Sequence, residues 1–436
     1  MEHIAGQSEI APLALSVDEA DASDLTFIEG GGVTSARGFK ACGIHAGFRK
    51  EQDRLDFALV VADEPAACAA TFTQNVFCAA PVQVSRENLD GVSYGTARAV
   101  AINSGVANAA TGTVGLETAR KTTHIVGDAI GCPASEVLVA STGVIGQQLG
   151  CECFETAMPQ ALEALSREGG DNAARAIMTT DTHAKQVAVS FNGDELGFPG
   201  CTFTVGGMSK GAGMIMPNMA TMIAVVTTDV PVAPDLLHEA LVEAVNASFN
   251  KITVDSDTST NDSCFVFASG AAASGGPAFA KGTLAFATFA RALRVVCATL
   301  AREMAADGEG ATRLVTVRVA GARNAADADA AARTIANSPL VKTAIFGHDA
   351  NWGRIAAAAG RSGAQFEQEN VSIDIMGIPV CRGGLTVPFD EEEALRRFER
   401  PEIDIDVDLG AGEASTMIWT CDFSHEYVTI NGDYRT

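Results

Sequence analysis

The sequence predicts a layered α+β fold in which sheets are packed between helices. Three observations carry this reading. Short apolar runs suited to buried strands recur at residues 99–102, 136–140, 187–191, 202–205 and 222–226. Helical patterning lies between and after them, at 116–130, 154–167, 234–248 and 283–306. Near the C-terminus the period becomes two. Val315, Val317 and Val319 alternate with polar residues, as do Ile403, Ile405, Val407 and Leu409 with Asp404, Asp406 and Asp408. That last strand buries one face and turns an acidic face to water.

At 436 residues the chain can bury a large core, and 47% apolar against 19% charged residues is globular rather than disordered. No period repeats, and no Pro-, Gly- or Ser-rich linker divides the chain. A net charge of −24 repels nucleic-acid phosphates. The densest basic cluster, Arg396, Arg397 and Arg400, sits among Glu391, Glu392, Glu393 and Glu399 and reads as a solvated helix face. Residues 1–24 lack a basic n-region and a long apolar run, so they read as an acidic arm rather than a signal peptide or presequence. The eleven cysteines are scattered without a C-x-x-C, only Cys151 and Cys153 being close, which suits reduced thiols in the cytoplasm. The uncharged stretch 211–228 contains Pro217 and Asn218 and reads as buried loop plus strand, not as a membrane span.

Four polar segments are too costly to bury idly: 103–112 (NSGVANAATG), 141–146 (STGVIG), 210–221 (KGAGMIMPNMAT) and 253–263 (TVDSDTSTNDS). In the third, Gly211 and Gly213 permit unusual backbone, Pro217–Asn218 marks a turn, and Ala220–Thr221 opens an apolar strand. Thr221 either caps that strand or, by attacking the carbonyl of Ala220, becomes an N-terminal nucleophile. In the second case its own α-amine, a group that ordinarily titrates at about 7.7–8.0, serves as base. Ser141–Thr142–Gly143 is either a plain glycine turn or a hydroxyl and N–H pair for an oxyanion. Gly207–Met208–Ser209–Lys210–Gly211 fits G-x-S-x-G, but no helix follows Ser209 and no downstream histidine stands out. Asp255, Asp257, Ser259 and Asp262 superficially resemble a calcium loop, yet Thr260 and Val266 replace the required Gly and Glu. Side-chain-to-backbone turns are the reading there, and no metal is expected.

Taken together, the sequence resembles the ornithine acetyltransferase family of arginine biosynthesis. Nine motifs carry the resemblance in order: DEPAACAATFTQN, INSGVANAATG, STGVIG, AIMTTDTHAK, KGAGMIMPNMAT, VDSDTSTNDS, ADGEGATRLVTV, ANWGRI and INGDYRT. It implies an αββα sandwich of the self-processing N-terminal-nucleophile type. Cleavage would fall between Ala220 and Thr221, giving chains 25–220 (behind the arm) and 221–436 that form one intertwined core. Thr221 would be the nucleophile, and Thr142 and Gly143 the oxyanion donors. Thr182 is chosen from the TTDT run as a substrate contact, with Lys210, Thr221, Glu309, Asn431 and Thr436. The implied reaction moves acetyl from N-acetylornithine to glutamate by a ping-pong route without cofactor, in an α2β2 assembly. Some family members also take acetyl-CoA, which the sequence leaves open. A self-processed aminopeptidase or amidohydrolase of the same fold class is the alternative. Val106, Ser256 and Ala350 depart from the family's usual Asn, Gly and Pro. The chain is expected to end in a strand-like run at 427–430 followed by a buried terminus.

Overall fold

The computed structural model describes residue 22, residues 24–216 and residues 222–433. Strands β1 (Thr26–Phe27), β2 (Phe39–Ile44), β3 (Phe57–Phe72), β4 (Tyr94–Val106), β5 (Val137–Val144), β6 (Lys185–Asn192), β7 (Thr202–Lys210), β8 (Ile223–Thr228) and β9 (Ser263–Ala268) share one sheet. Its order is β1-β6-β7-β8-β9-β3-β4-β5, with β2 also paired to β3. The long β3 slips register between Val61 and Ala66. Its first part pairs with β2, its second with β9. Such a bulge bends a strand, and here the bend folds the sheet into two layers.

The apolar side chains show the layering. Val60 of β3, Ile102 of β4 and Leu138 of β5 share a core with Met208 of β7, Val225 of β8 and Phe265 of β9. Alternate residues of the same strands point the other way, because side chains change face at every step. Leu59, Ala101 and Val139 pack under helices Gly112–Ile130 and Glu152–Ala164. Ala224, Val226 and Val266 pack under helices Pro234–Ala247 and Leu284–Ala306. The order is therefore helix, sheet, sheet, helix. The last of these helices has the length and hydropathy of a membrane span, yet it serves as a core helix here.

β8 lies between β7, to which it is antiparallel, and β9, to which it is parallel. Strands from before and after residue 221 thus hydrogen-bond in one sheet.

A second sheet holds β10 (Leu314–Ala322), β11 (Ser372–Ile375), β12 (Ile378–Arg382), β13 (Leu385–Thr386), β14 (Glu402–Asp408) and β15 (Ala414–Cys421). Val315, Val317, Val319, Ile403, Ile405 and Val407 join a core with helices Ala325–Ala336 and Pro339–Phe346. The opposite face is polar, and Arg318 reaches Asp404 at 2.7 Å and Asp406 at 3.3 Å.

One element departs from expectation. Residues 427–430 belong to helix His425–Asp433, not to a strand. The Ser424 hydroxyl accepts from the Glu426 N–H at 3.1 Å, and the rings of Phe423 and Tyr427 stack with centroids 4.6 Å apart. A cap and a pairing four residues apart select the helix over β-branched propensity.

Candidate active site

The polar segments meet at one cleft of about 240 Å³. Its wall includes Thr142 and Gly143, Thr179 and Thr180, Lys210 and Gly213, Met222, Glu309, Tyr427 and Asn431.

The end of β5 supplies the first pair. β4 and β5 run parallel with Gly105 opposite Gly143, at φ +111 and +127. A Cβ on Gly143 would lie 2.3 Å from the Gly105 carbonyl carbon, so only glycine fits. Asn261 fixes this tip. Its amide donates to the Ala107 carbonyl at 2.6 Å and the Ser141 carbonyl at 2.8 Å. The Ser141 hydroxyl donates to Asn103 Oδ1 at 2.6 Å.

Lys210 ends β7 and is buried. Its Nζ donates to Thr142 Oγ1 at 3.3 Å. Burial pushes its pKa below the usual lysine value, while Asp181 and Glu309 oppose the fall. Beneath it Lys185 Nζ bridges Asp181 at 2.8 Å and Asp307 at 2.5 Å, with all three side chains buried. Burial alone would raise the Asp181 pKa, but Lys185 and Lys210 hold it well below the usual carboxylate range.

The described part of the loop before residue 217 is clamped by Asp255. Its carboxylate accepts from Met214 N at 2.6 Å and Ile215 N at 2.9 Å. The Thr258 hydroxyl donates to the Met216 carbonyl at 2.9 Å. Glu309 is buried, and Asn431 Nδ2 donates to it at 2.7 Å. Tyr427 lies beside Asp255, Asp257 and Glu309, and burial together with these carboxylates pushes its pKa up. The cleft thus has a cation on one wall and carboxylates on the other.

Comparison with known proteins decides the family. The ArgJ family profile matches residues 40–436. The chain belongs to the ArgJ family. It is 46% identical over 416 residues to the arginine biosynthesis bifunctional protein ArgJ of Synechococcus sp., covering 93% of this chain and 98% of that protein. It is 47% identical over 399 residues to the protein of the same name from Chlorobaculum tepidum, covering 92% and 96%. A crystal structure of arginine biosynthesis bifunctional protein argJ from Bacillus halodurans is 42% identical, over 48% of this chain and 98% of that one, with a TM-score of 0.47. As a member of the ArgJ family, the chain is an acetyltransferase of arginine biosynthesis.

Within that family frame the positions read from sequence are distributed as follows. Thr142, Gly143, Lys210, Glu309 and Asn431 line the cleft together, although they come from separate segments of the chain. Ala220, Thr221 and Thr436 lie outside the described residues, and Met222, the next residue after Thr221, is on the wall. Thr182 is not on the wall. It is exposed, with its N–H donating to Asp307 at 3.0 Å and its hydroxyl to the same carboxylate. Thr179 and Thr180 are on the wall.

The two competing motifs have structural work. Ser209 sits inside β7, paired with Lys185 on one side and Ala224 on the other, so no elbow exists there. The oxygens of Asp255 are occupied by backbone N–H groups, which is why the acidic run makes a clamp. Ser256 has φ +66, a left-handed conformation that glycine adopts more easily. Val106 is buried in the apolar cluster beneath the helix Gly112–Ile130. Asn261, Asp181 and Tyr427 went unassigned in the sequence. For the first two the only signal was membership of a polar run.

Proposed function

We propose that the chain cuts itself between Ala220 and Thr221 and that Thr221 then carries acetyl from N-acetylornithine to glutamate. The observation that carries this reading is the convergence of Thr142, Gly143, Lys210, Glu309 and Asn431 on a cleft whose wall continues into Met222.

Thr221 Oγ1 attacks the acetyl carbonyl while its α-amine accepts the hydroxyl proton. The Thr142 hydroxyl and the Gly143 N–H donate to the oxyanion; such donors are worth about 3–4 kcal/mol each. Collapse of the tetrahedral intermediate breaks the amide C–N bond. The ornithine α-amine takes the proton and leaves. The glutamate amine attacks the acetyl ester, and Thr221 leaves with its proton restored. Lys210 has N–H groups beyond the one given to Thr142 and suits a substrate carboxylate, whereas Glu309 suits a substrate amine. The cleaved halves remain in one sheet, pair as α2β2, and work in the cytoplasm; acetyl-CoA serves as a second donor where the enzyme is bifunctional.

The test is a denaturing gel with intact masses, followed by an acetyl-transfer assay. Two fragments, 1–220 and 221–436, are expected. Thr221→Ala should stay uncut and inactive, and Thr221→Ser should cut more slowly. With glutamate withheld, an acetyl group should be trapped on the 221–436 fragment. A fully active uncut wild type would sink the reading. Acetate release without glutamate dependence would favour the amidohydrolase alternative.

A further inference from the structure

We propose that Asp181 is a positioning residue of this site: it staples two cleft walls together and supplies the negative charge that keeps the Lys210 ammonium aimed at the Thr142 hydroxyl. The proposal rests on the reading of Thr142 as an oxyanion donor.

The stapling is direct. The buried Asp181 carboxylate accepts from Thr179 N at 2.9 Å and from Gly211 N at 2.6 Å. Both donors belong to segments that line the cleft. Lys185 Nζ joins the same carboxylate at 2.8 Å and continues to Asp307, two residues before Glu309. One carboxylate therefore ties together the backbone beside Thr180 and the backbone beside Lys210. A chain of two ion pairs extends that tie toward Glu309.

The charge argument follows from hydrogen-bond polarity. An ammonium has three N–H donors and no acceptor. While Lys210 is charged it can only donate to Thr142 Oγ1, at 3.3 Å, so the hydroxyl hydrogen is left for another acceptor, such as an oxyanion. A neutral Lys210 amine can accept that hydrogen and turn it away from the reacting carbonyl. The charges acting most on Lys210 are the anions Asp181 and Glu309 and the cations Lys185 and Arg49, with Lys185 itself paired to Asp307 as well as Asp181. Burial disfavours the ammonium in this setting. Removing Asp181 takes away the strongest of the attractions that oppose this loss of charge. The sign is then fixed: Lys210 loses its proton at lower pH, and activity falls earlier as pH rises.

The experiment measures kcat/KM for N-acetylornithine at pH 7 and pH 9 in the cleaved enzyme. Asp181→Asn keeps the size and an acceptor oxygen for Gly211 but removes the charge and the acceptor for Thr179 N. The ratio of the pH 9 value to the pH 7 value should fall about two- to tenfold below that of wild type, the upper figure applying where Lys210 titrates between these pH values in both enzymes. Groups remote from residue 181 cancel in this comparison. Arg49→Gln removes a neighbouring cation and should raise the same ratio. An unmoved ratio would overturn the proposal; a further loss common to both pH values is expected from the broken Thr179 contact. Should Asp181→Asn fail to fold, the Arg49→Gln ratio decides: a rise supports the proposal and no change overturns it. A wild type that transfers no acetyl would strike instead at the proposed function.

Discussion

Replacing Asn261 by alanine should destabilise the protein and slow it, through one side chain that holds the backbone next to Thr142. Asn261 Nδ2 donates to the carbonyls of Ala107 and Ser141, at 2.6 and 2.8 Å. The Thr260 hydroxyl donates to Asn261 Oδ1 at 2.6 Å. Ala107, Ser141, Thr260 and Asn261 are all buried. Truncation leaves two carbonyls without this donor, and an unsatisfied buried polar group costs about 1–3 kcal/mol. The expected loss is therefore about 2–6 kcal/mol, large against the stability of an ordinary domain. It should appear as a lower urea midpoint with an unchanged slope, read by the fluorescence of the buried Trp419. Because Ser141 precedes Thr142, kcat should fall together with stability. A variant with a wild-type midpoint would refute the reasoning, since no partner would then have been lost.

Three further outcomes are expected. Thr142→Ala should lower kcat by roughly 10²–10³ with little change in KM or in the urea midpoint, and a normal kcat would remove Thr142 from the oxyanion site. Gly213→Ala would bring a Cβ to 2.4 Å from the Glu309 carboxyl carbon, so Glu309 must shift. Its KM for N-acetylornithine should rise about tenfold or more, with self-cleavage measured alongside to confirm that the loop still closes. Residues added after Thr436 should lower turnover far more than self-cleavage, whereas a tag at Met1 should be nearly harmless; equal activity of the two tagged proteins would remove Thr436 from the site.

Periodicity was enough to read most elements. The apolar runs that became β4 to β8 and the helices Pro234–Ala247 and Leu284–Ala306 were visible because burial imposes a period of two or 3.6. The alternation in β10 and β14 announced a sheet covered on one face only. The family was also legible, since nine ordered motifs carry far more information than any one. The final helix was not legible, because Ser424 and the Phe423–Tyr427 stack outweigh the β-branched residues Val428, Thr429 and Ile430. Which Thr of the TTDT run faces the cleft was not legible either. Four consecutive residues TTDT look alike in sequence, and only the fold places Thr179 and Thr180 on the cleft wall and Thr182 against Asp307. What tertiary structure alone decided is the set of partnerships between distant segments: Asn261 with Ala107 and Ser141, Asp181 with Gly211, Lys210 with Thr142, Asn431 with Glu309. A chain determines its own periodicity locally, but a hydrogen bond across 68 residues, as between Lys210 and Thr142, exists only once the folded sheet has brought β5 and β7 to the same cleft.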